Sequence, residues 1–358
     1  MSRKTILTVA ILGLVVLGFF AFRSTPDDGA PKTLTIASIA YSNSGEQRFT
    51  SNTAIIQEQG WLKAELAKHG VELLWLPVPT AVGGPVINEG FAAKRIDFAS
   101  YGDFPTIIAN AGGIETRLIV PAGRGQNVYL VVRKGLAAKS IEDLKGKRIA
   151  VHRGRPWELP FAKLLDTKGL KQSEFKILNI NPPASVAALA SGDVDAAVLL
   201  SSDGLLAEQR GLGTIVWSTR QAPPDWRMRA ELFGRKDFVE RHPDLTQIVA
   251  EAYVRAAHWS TLPENREKVI ELASRNESPR SVIEAEYADP TVTWNDRFSP
   301  LFDDFLKEHY RAAAEYTFEQ KLVRKKVDAY QLFDPQFVTK ALETLKLQDH
   351  WQPAKAAP

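Results

Sequence analysis

Leu189-Ala190-Ser191-Gly192-Asp193-Val194-Asp195-Ala196-Ala197 reads as the end of a helix, a tight turn and the start of a buried strand. Gly192 stands where a helix closes on a left-handed residue, a conformation that costs glycine no Cβ clash. The same layout occurs earlier, in Phe91-Ala92-Ala93-Lys94-Arg95-Ile96-Asp97-Phe98-Ala99. Two copies of one helix–turn–strand unit point to two similar lobes. Around them, strand patterns at Thr33–Ile39, Leu73–Val78, Ile96–Tyr101, Thr116–Pro121, Val128–Val132, Arg148–His152, Phe175–Ile180, Ala196–Leu200 and Gly213–Ser218 alternate with helical ones. The helical patterns are Thr53–His69, Val86–Lys94, Pro105–Ala111, Trp157–Lys168 and Pro183–Ser191. Such alternation predicts an α/β protein with mostly parallel sheets.

After Thr219 the pattern changes. Leu245, Ile248, Val249, Ala252, Ala256 and Trp259 form a helical stripe within Asp244–Trp259. Asn265–Ser274, Ser281–Tyr287, Arg297–Phe318 and Pro335–Leu345 also read as helices. The C-terminal third is therefore expected to be helical.

Composition narrows the function. The chain has 358 residues, enough for two domains, and 44% are hydrophobic and 24% charged, ordinary globular values. A net charge of +3 gives no reason to expect nucleic acid as a partner. Zero cysteines exclude disulfides, thiolate metal sites, iron–sulfur clusters and cysteine nucleophiles. Six scattered histidines offer little for a metal site. No Gly-x-Ser-x-Gly, phosphate loop or His-Glu-x-x-His occurs. No catalytic residue, metal or cofactor is expected, and the chain is not expected to be an enzyme.

The N-terminus sets the compartment. Arg3 and Lys4 precede an uncharged apolar run from Ile6 to Phe22. A basic start before such a run reads as an export signal, or as a single uncleaved anchor because no small-x-small cleavage site follows. Either way the body lies outside the cytoplasmic membrane, in the periplasm if exported, with 1–30 as signal or anchor plus linker.

Ligands of open α/β sheets bind beyond the carboxyl ends of strands, often at helix starts. The loops at those positions supply Tyr41, Asn43 and Ser44, then Gly83 and Gly84 before Pro85, then Tyr101 and Asp103. They continue with Arg124 and Gln126, then Arg153, Arg155 and Trp157, and end with Ser201 and Ser202. Glycines before a helix-starting proline leave backbone N–H groups open to an anion. The three arginines can fork onto a sulfonate, phosphate or carboxylate, and Tyr41, Tyr101 and Trp157 can face an organic part. Competing structural roles are evident. Asp103, Ser201 and Ser202 suit helix capping, Arg153 and Arg155 can pair with Glu158, and Trp157 suits a core. His152 has no neighbouring carboxylate to orient it and reads as a core or solvated histidine.

Several ordered motifs resemble one family, the extracytoplasmic binding proteins for aliphatic sulfonates, taurine and nitrate. They are Ile96-Asp97-Phe98 with Gly102-Asp103-Phe104-Pro105, Asp143-Leu144-Lys145-Gly146-Lys147-Arg148-Ile149-Ala150-Val151, the segment Leu189–Leu199, and Arg235-Lys236-Asp237-Phe238 through His242-Pro243-Asp244-Leu245. The resemblance spans about Leu34 to Leu345. It implies a two-lobe type II periplasmic binding fold, with 31–123 and 223–358 as lobe 1 and 124–222 as lobe 2, joined by two crossovers. It further implies a monomeric receptor that closes over a small organic anion and delivers it to the inner-membrane permease of an ABC transporter. Two departures bear on the ligand. Ser201-Ser202-Asp203 replaces the Trp-Asp-Pro of many relatives, and His152-Arg153-Gly154-Arg155-Pro156-Trp157 replaces a Gly-Ser/Thr-rich run. The extra arginine and tryptophan suggest a larger or aromatic organic anion rather than nitrate, and the expected ligand is an organic sulfonate or sulfate ester. Nitrate, phosphonate or carboxylate receptors of the same fold, and an anchored sensor module, are the alternatives.

Overall fold

In the computed structural model, Gly29 and residues 31–43, 45–274 and 278–355 are described; the expected export segment Ile6–Phe22, and Ser44, lie outside them. Strand β1 (Thr33–Asn43) buries Leu34, Ile36, Ala37, Ser38 and Ala40. Such burial on both faces suits a strand with helices above and below it. It pairs in parallel with β3 (Glu72–Pro79) and with β4 (Phe98–Gly102). At its far end β2 (Glu46–Phe49) folds back antiparallel. Strand β11 (Ala230–Arg235) lies antiparallel between β4 and β5 (Thr116–Val120) and completes the first sheet. The second sheet runs β10 (Gly213–Ser218), β6 (Val128–Arg133), β9 (Ala196–Leu200), β7 (Arg148–Ala150), β8 (Lys176–Leu178).

The α/β class and the two-lobe arrangement stand, one sheet per lobe. The sheets are mixed, however, and not mostly parallel: β2, β6, β10 and β11 all make antiparallel pairs. A parallel neighbour requires a crossover element, usually a helix, on the sheet's face. Strands β6 and β11 arrive directly from the other lobe and meet no such requirement. β2 and β11 were absent from the sequence reading. β2 is a polar edge strand, and β11 carries Glu231, Gly234 and Arg235 with no period-two pattern.

Each sheet is covered on both faces. In the first lobe, Leu34, Ile36, Phe98 and Val120 meet Val249, Tyr253 and Val254 of the helix Pro243–Thr261. On its other face Ala37, Phe104 and Leu118 meet Leu306, Tyr310 and Ala313 of the helix Asp304–Glu319. That helix begins at Asp304 and not at Arg297, because Asp303 caps it by accepting from the Leu306 N–H at 3.1 Å. One helix of the C-terminal third belongs elsewhere. In Arg280–Tyr287, Val282 is fully buried in the second lobe's core with Tyr129, Val131 and Leu199. Thus 223–358 does not pack wholly on the first sheet. Val282 and Ala285 form an apolar stripe that the helix buries against Ser201–Gln209.

No helix among the described residues is long and apolar enough to cross a membrane.

Candidate functional site

The chain leaves β3 through Val82-Gly83 and enters the helix Gly84–Ala92, whose N-terminus has no side-chain cap. Its first N–H groups have no partner within the helix. Gly83 has φ 46, a region L side chains rarely adopt. Arg155, in the loop after β7 of the other lobe, reaches this turn. Its Nη2 donates to Val82 O at 3.1 Å. A Cβ on Gly83 would lie 2.5 Å from Arg155 Nη1, so the guanidinium rests on bare backbone. Next to it, Pro156 packs so closely on Gly102, at the end of β4, that no Cβ fits there. The lobes therefore meet where Arg155-Pro156 seats on the ends of β3 and β4.

Arg155 is 8% exposed, and no carboxylate pairs with it among the described residues. Burial pushes its pKa down from the ordinary arginine value. A buried cation without an acid partner is costly unless an anion joins it. Two more polar atoms of the same loop lack partners: Trp157 Nε1 and His152 Nδ1, both buried. The two rings stand 5.9 Å apart. Burial, with Arg155 adding repulsion, pushes His152 down to about 4, so its ring is neutral at neutral pH. The loop thus gathers a buried cation without an acid partner and an indole N–H without an acceptor, a combination suited to an oxyanion.

Tyr41, near the end of β1, and Asp203, in the first turn of Ser201–Gln209, interact with each other. Burial pushes Asp203 up to about 6. Burial and the Asp203 carboxylate together push Tyr41 up to about 12. Ser201 and Ser202 open the helix Ser201–Gln209 half-buried, and neither hydroxyl caps it. Tyr41, Gly83, Gly84, Arg155, Trp157, Ser201 and Ser202 thus share strand ends and helix starts.

The remaining expected residues are engaged elsewhere. Tyr101 is buried against Phe91 and Phe233, with Oη donating to Asn88 Oδ1 at 3.1 Å. Asp103 is fully buried, accepting from Phe104 N at 2.6 Å and lying 2.5 Å from His309 Nε2. It holds two helices together. Arg124 is buried in an ion pair with Asp303, and Arg153 pairs with Glu158 at 3.4 Å. Glu158 also accepts from Gly154 N at 2.6 Å, which fixes the loop carrying Arg155. Gln126 pairs its backbone with Met228 between the lobes. Asn43 pairs with Glu46 in the β1–β2 hairpin, so the expected Tyr41–Ser44 loop is largely strand. The side chain of Asn43 and all of Ser44 lie outside the described residues. The partners of Asp103 and Arg124, His309 and Asp303, are distant in sequence, so no local pattern could announce them. His152, expected as a core or solvated histidine, and Asp203, in the loop that the resemblance places at the cleft, each gain significance from burial.

The profile of the NMT1/THI5-like family matches residues 80–265. An aliphatic sulfonates-binding protein of Bacillus subtilis (strain 168) is 27% identical over 303 residues, covering 84% of this chain and 87% of its own. The taurine-binding periplasmic protein of Escherichia coli (strain K12) is 28% identical over 207 residues, 53% of this chain and 61% of that protein. The crystal structure of the periplasmic sulfonate-binding protein SsuA from Methylobacillus flagellatus KT superposes with a TM-score of 0.83 at 44% identity, covering 92% of this chain and 99% of that one.

Proposed function

The chain belongs to the NMT1/THI5-like family, and from that premise we propose that it is the solute receptor of an ABC importer for an organic sulfonate or sulfate ester. It works in the periplasm, captures its ligand between the lobes without turnover, and hands it to an inner-membrane permease. The names of its relatives support this reading, as does their coverage of the chain. The observation that carries it is Arg155, a buried guanidinium without an acid partner, seated from one lobe on the Gly83-Gly84 helix start of the other. An oxyanion between them neutralises Arg155 and takes hydrogen bonds from Trp157 Nε1 and the open N–H groups of Gly84–Ala92. Ligand contact with both lobes favours the closed state, and that preference drives closure.

Thermal unfolding of the purified protein against taurine, alkyl and aryl sulfonates, sulfate esters, phosphonates, nitrate and carboxylates tests the reading. A ligand at a hundred times its dissociation constant stabilises by about 2.7 kcal/mol, a clear rise in Tm. A rise with sulfonates or sulfate esters, with no consumption of ligand on incubation, is the expected result. A rise confined to nitrate, phosphonates or carboxylates overturns the ligand. No rise with any compound overturns the receptor.

A further inference from the structure

The helix Glu158–Thr167, which follows the loop carrying Arg155, belongs to both lobes. Phe161, Leu164 and Leu165 pack in the second lobe's core with Val128 and Val198. Leu159 and Ala162 instead join the first lobe's core beside Phe104, Ala313 and Tyr316. Polar contacts tie this helix to Asp304–Glu319 at two levels. His309 Nδ1 donates to Asp225 O at 2.9 Å, and the Asp225 carboxylate pairs with Lys163 at 3.1 Å. Tyr316 stands two turns beyond His309 on the same helix face. Its Oη lies 3.4 Å from Glu158 Oε1.

Glu158 braces that loop. It is 1% exposed, and both carboxylate oxygens are engaged. Oε2 accepts from Gly154 N–H at 2.6 Å. Oε1 accepts from Arg153 Nε and from Tyr316 Oη, each at 3.4 Å. The Glu158 backbone N–H donates to Arg155 O at 3.0 Å, so one residue grips the turn both before and at Arg155. Tyr316 is fixed in its turn. Its ring stacks on Phe104 with centroids 5.8 Å apart, and Gln172 Nε2 donates to its Oη at 3.0 Å. With Gln172 supplying that proton, the hydroxyl's own proton points to Glu158. Burial, with the Glu158 carboxylate beside it, pushes the Tyr316 pKa well above its ordinary value, so Oη stays a donor.

We infer that Tyr316 is a positioning residue of the anion site: through Glu158 it holds the Gly154 turn and fixes the direction in which Arg155 reaches Val82 and Gly83. The inference rests on the receptor reading of that site. Without the hydroxyl, Glu158 Oε1 keeps only the exposed Arg153 as a donor, and a buried carboxylate does not stay under-bonded cheaply. Glu158 then turns toward water or toward Arg155. Either movement releases the Gly154 turn, and the second also neutralises the cation meant for the ligand. Tyr316 belongs to the first lobe and the loop to the second, so the aim of Arg155 is set from the lobe it reaches toward.

Tyr316→Phe keeps the ring on Phe104 and removes only the hydroxyl. Gln172→Ala keeps the hydroxyl and removes the bond that orients it. Hydrogen exchange of the ligand-free protein is the first readout. Tyr316→Phe is expected to speed exchange at the Gly154 amide by at least about tenfold, with the amides of Phe104 and Ala313 unchanged. Gln172→Ala is expected to act in the same direction more weakly. Calorimetric titration with ethanesulfonate or benzenesulfonate is the second readout. Tyr316→Phe is expected to weaken binding about fivefold in the otherwise native protein and less than about twofold beside Arg155→Ala, because a residue that acts through Arg155 then has nothing to position. Unchanged exchange at Gly154 in a folded Tyr316→Phe overturns the inference. So does a rise spread evenly over Asp304–Glu319, the mark of a merely structural tyrosine, and so does an equal loss of affinity in both backgrounds. If neither sulfonate binds the native protein, the receptor reading fails, whereas exchange at Gly154 still decides what Tyr316 holds.

Discussion

Arg155 shows how one side chain acquires a role through what surrounds it. Its sequence neighbours include Glu158, yet that carboxylate is engaged by Arg153 and the Gly154 N–H. The guanidinium is left to cross to the other lobe. Charge-assisted hydrogen bonds are worth about 1.5–3 kcal/mol each. Arg155→Ala is therefore expected to weaken sulfonate binding by roughly ten- to a hundredfold, and Arg155→Lys, which keeps charge but loses the fork, by less. Calorimetric titration measures both. Asp203 gives a pH signature. Its folded pKa, about 6, is above its ordinary 3.8, so the folded state holds the proton more tightly than the unfolded state. Stability therefore falls as pH rises from about 4 to about 6, and then stays level. His152, pushed down from 6.5 to about 4, acts with the opposite sign over nearly the same window. The native curve hides both contributions. Asp203→Asn is expected to match native stability near pH 4 and to exceed it above pH 6, as read by Tm against pH.

At the scale of elements, helix starts and strand ends make the proposed site, and buried caps hold them. Asp303 caps Asp304–Glu319 and also neutralises buried Arg124. Asp303→Ala is expected to lose the cap, worth about 1 kcal/mol, and to strand a buried cation. Breaking a buried pair costs about 3–5 kcal/mol. Urea unfolding is expected to show a loss of at least that size. The turn Val82-Gly83-Gly84 behaves differently. Gly83→Ala places a methyl against Arg155 and forces an L residue to φ 46. Its expected effect is a lost ligand-induced Tm rise with a smaller fall in unliganded Tm, because the clash exists only while the lobes meet.

At the scale of the molecule, the helix Arg280–Tyr287 spans what the chain order separates. It lies in the C-terminal third, yet Val282 fills the second lobe's core and Glu286 fixes Asn127. Val282→Ala is expected to cost about 2 kcal/mol in stability, the scale of a deleted buried branched side chain. It is also expected to raise exchange at the Asn127 amide, which donates to Glu286, linking core packing to the segment between β5 and β6. A fall in stability without that change would separate the two roles.

The alternation of elements, the repeated helix–turn–strand unit and the glycine pair before Pro85 were legible in the chain, because each depends on residues a few positions apart. Strand ends and helix starts follow from the same local rules, so the loops that could meet a ligand were also readable. Direction within the sheets was not, because β6 and β11 arrive from the other lobe and local patterning carries no record of that. Nor could the chain show that Arg124 and Asp103 serve the interior while Arg155 stays unpaired. Those fates depend on Asp303, His309 and Val82, residues remote in sequence that only the fold brings within hydrogen-bonding range. A side chain's type sets what it can bind, and burial and competition among distant partners decide what it does bind.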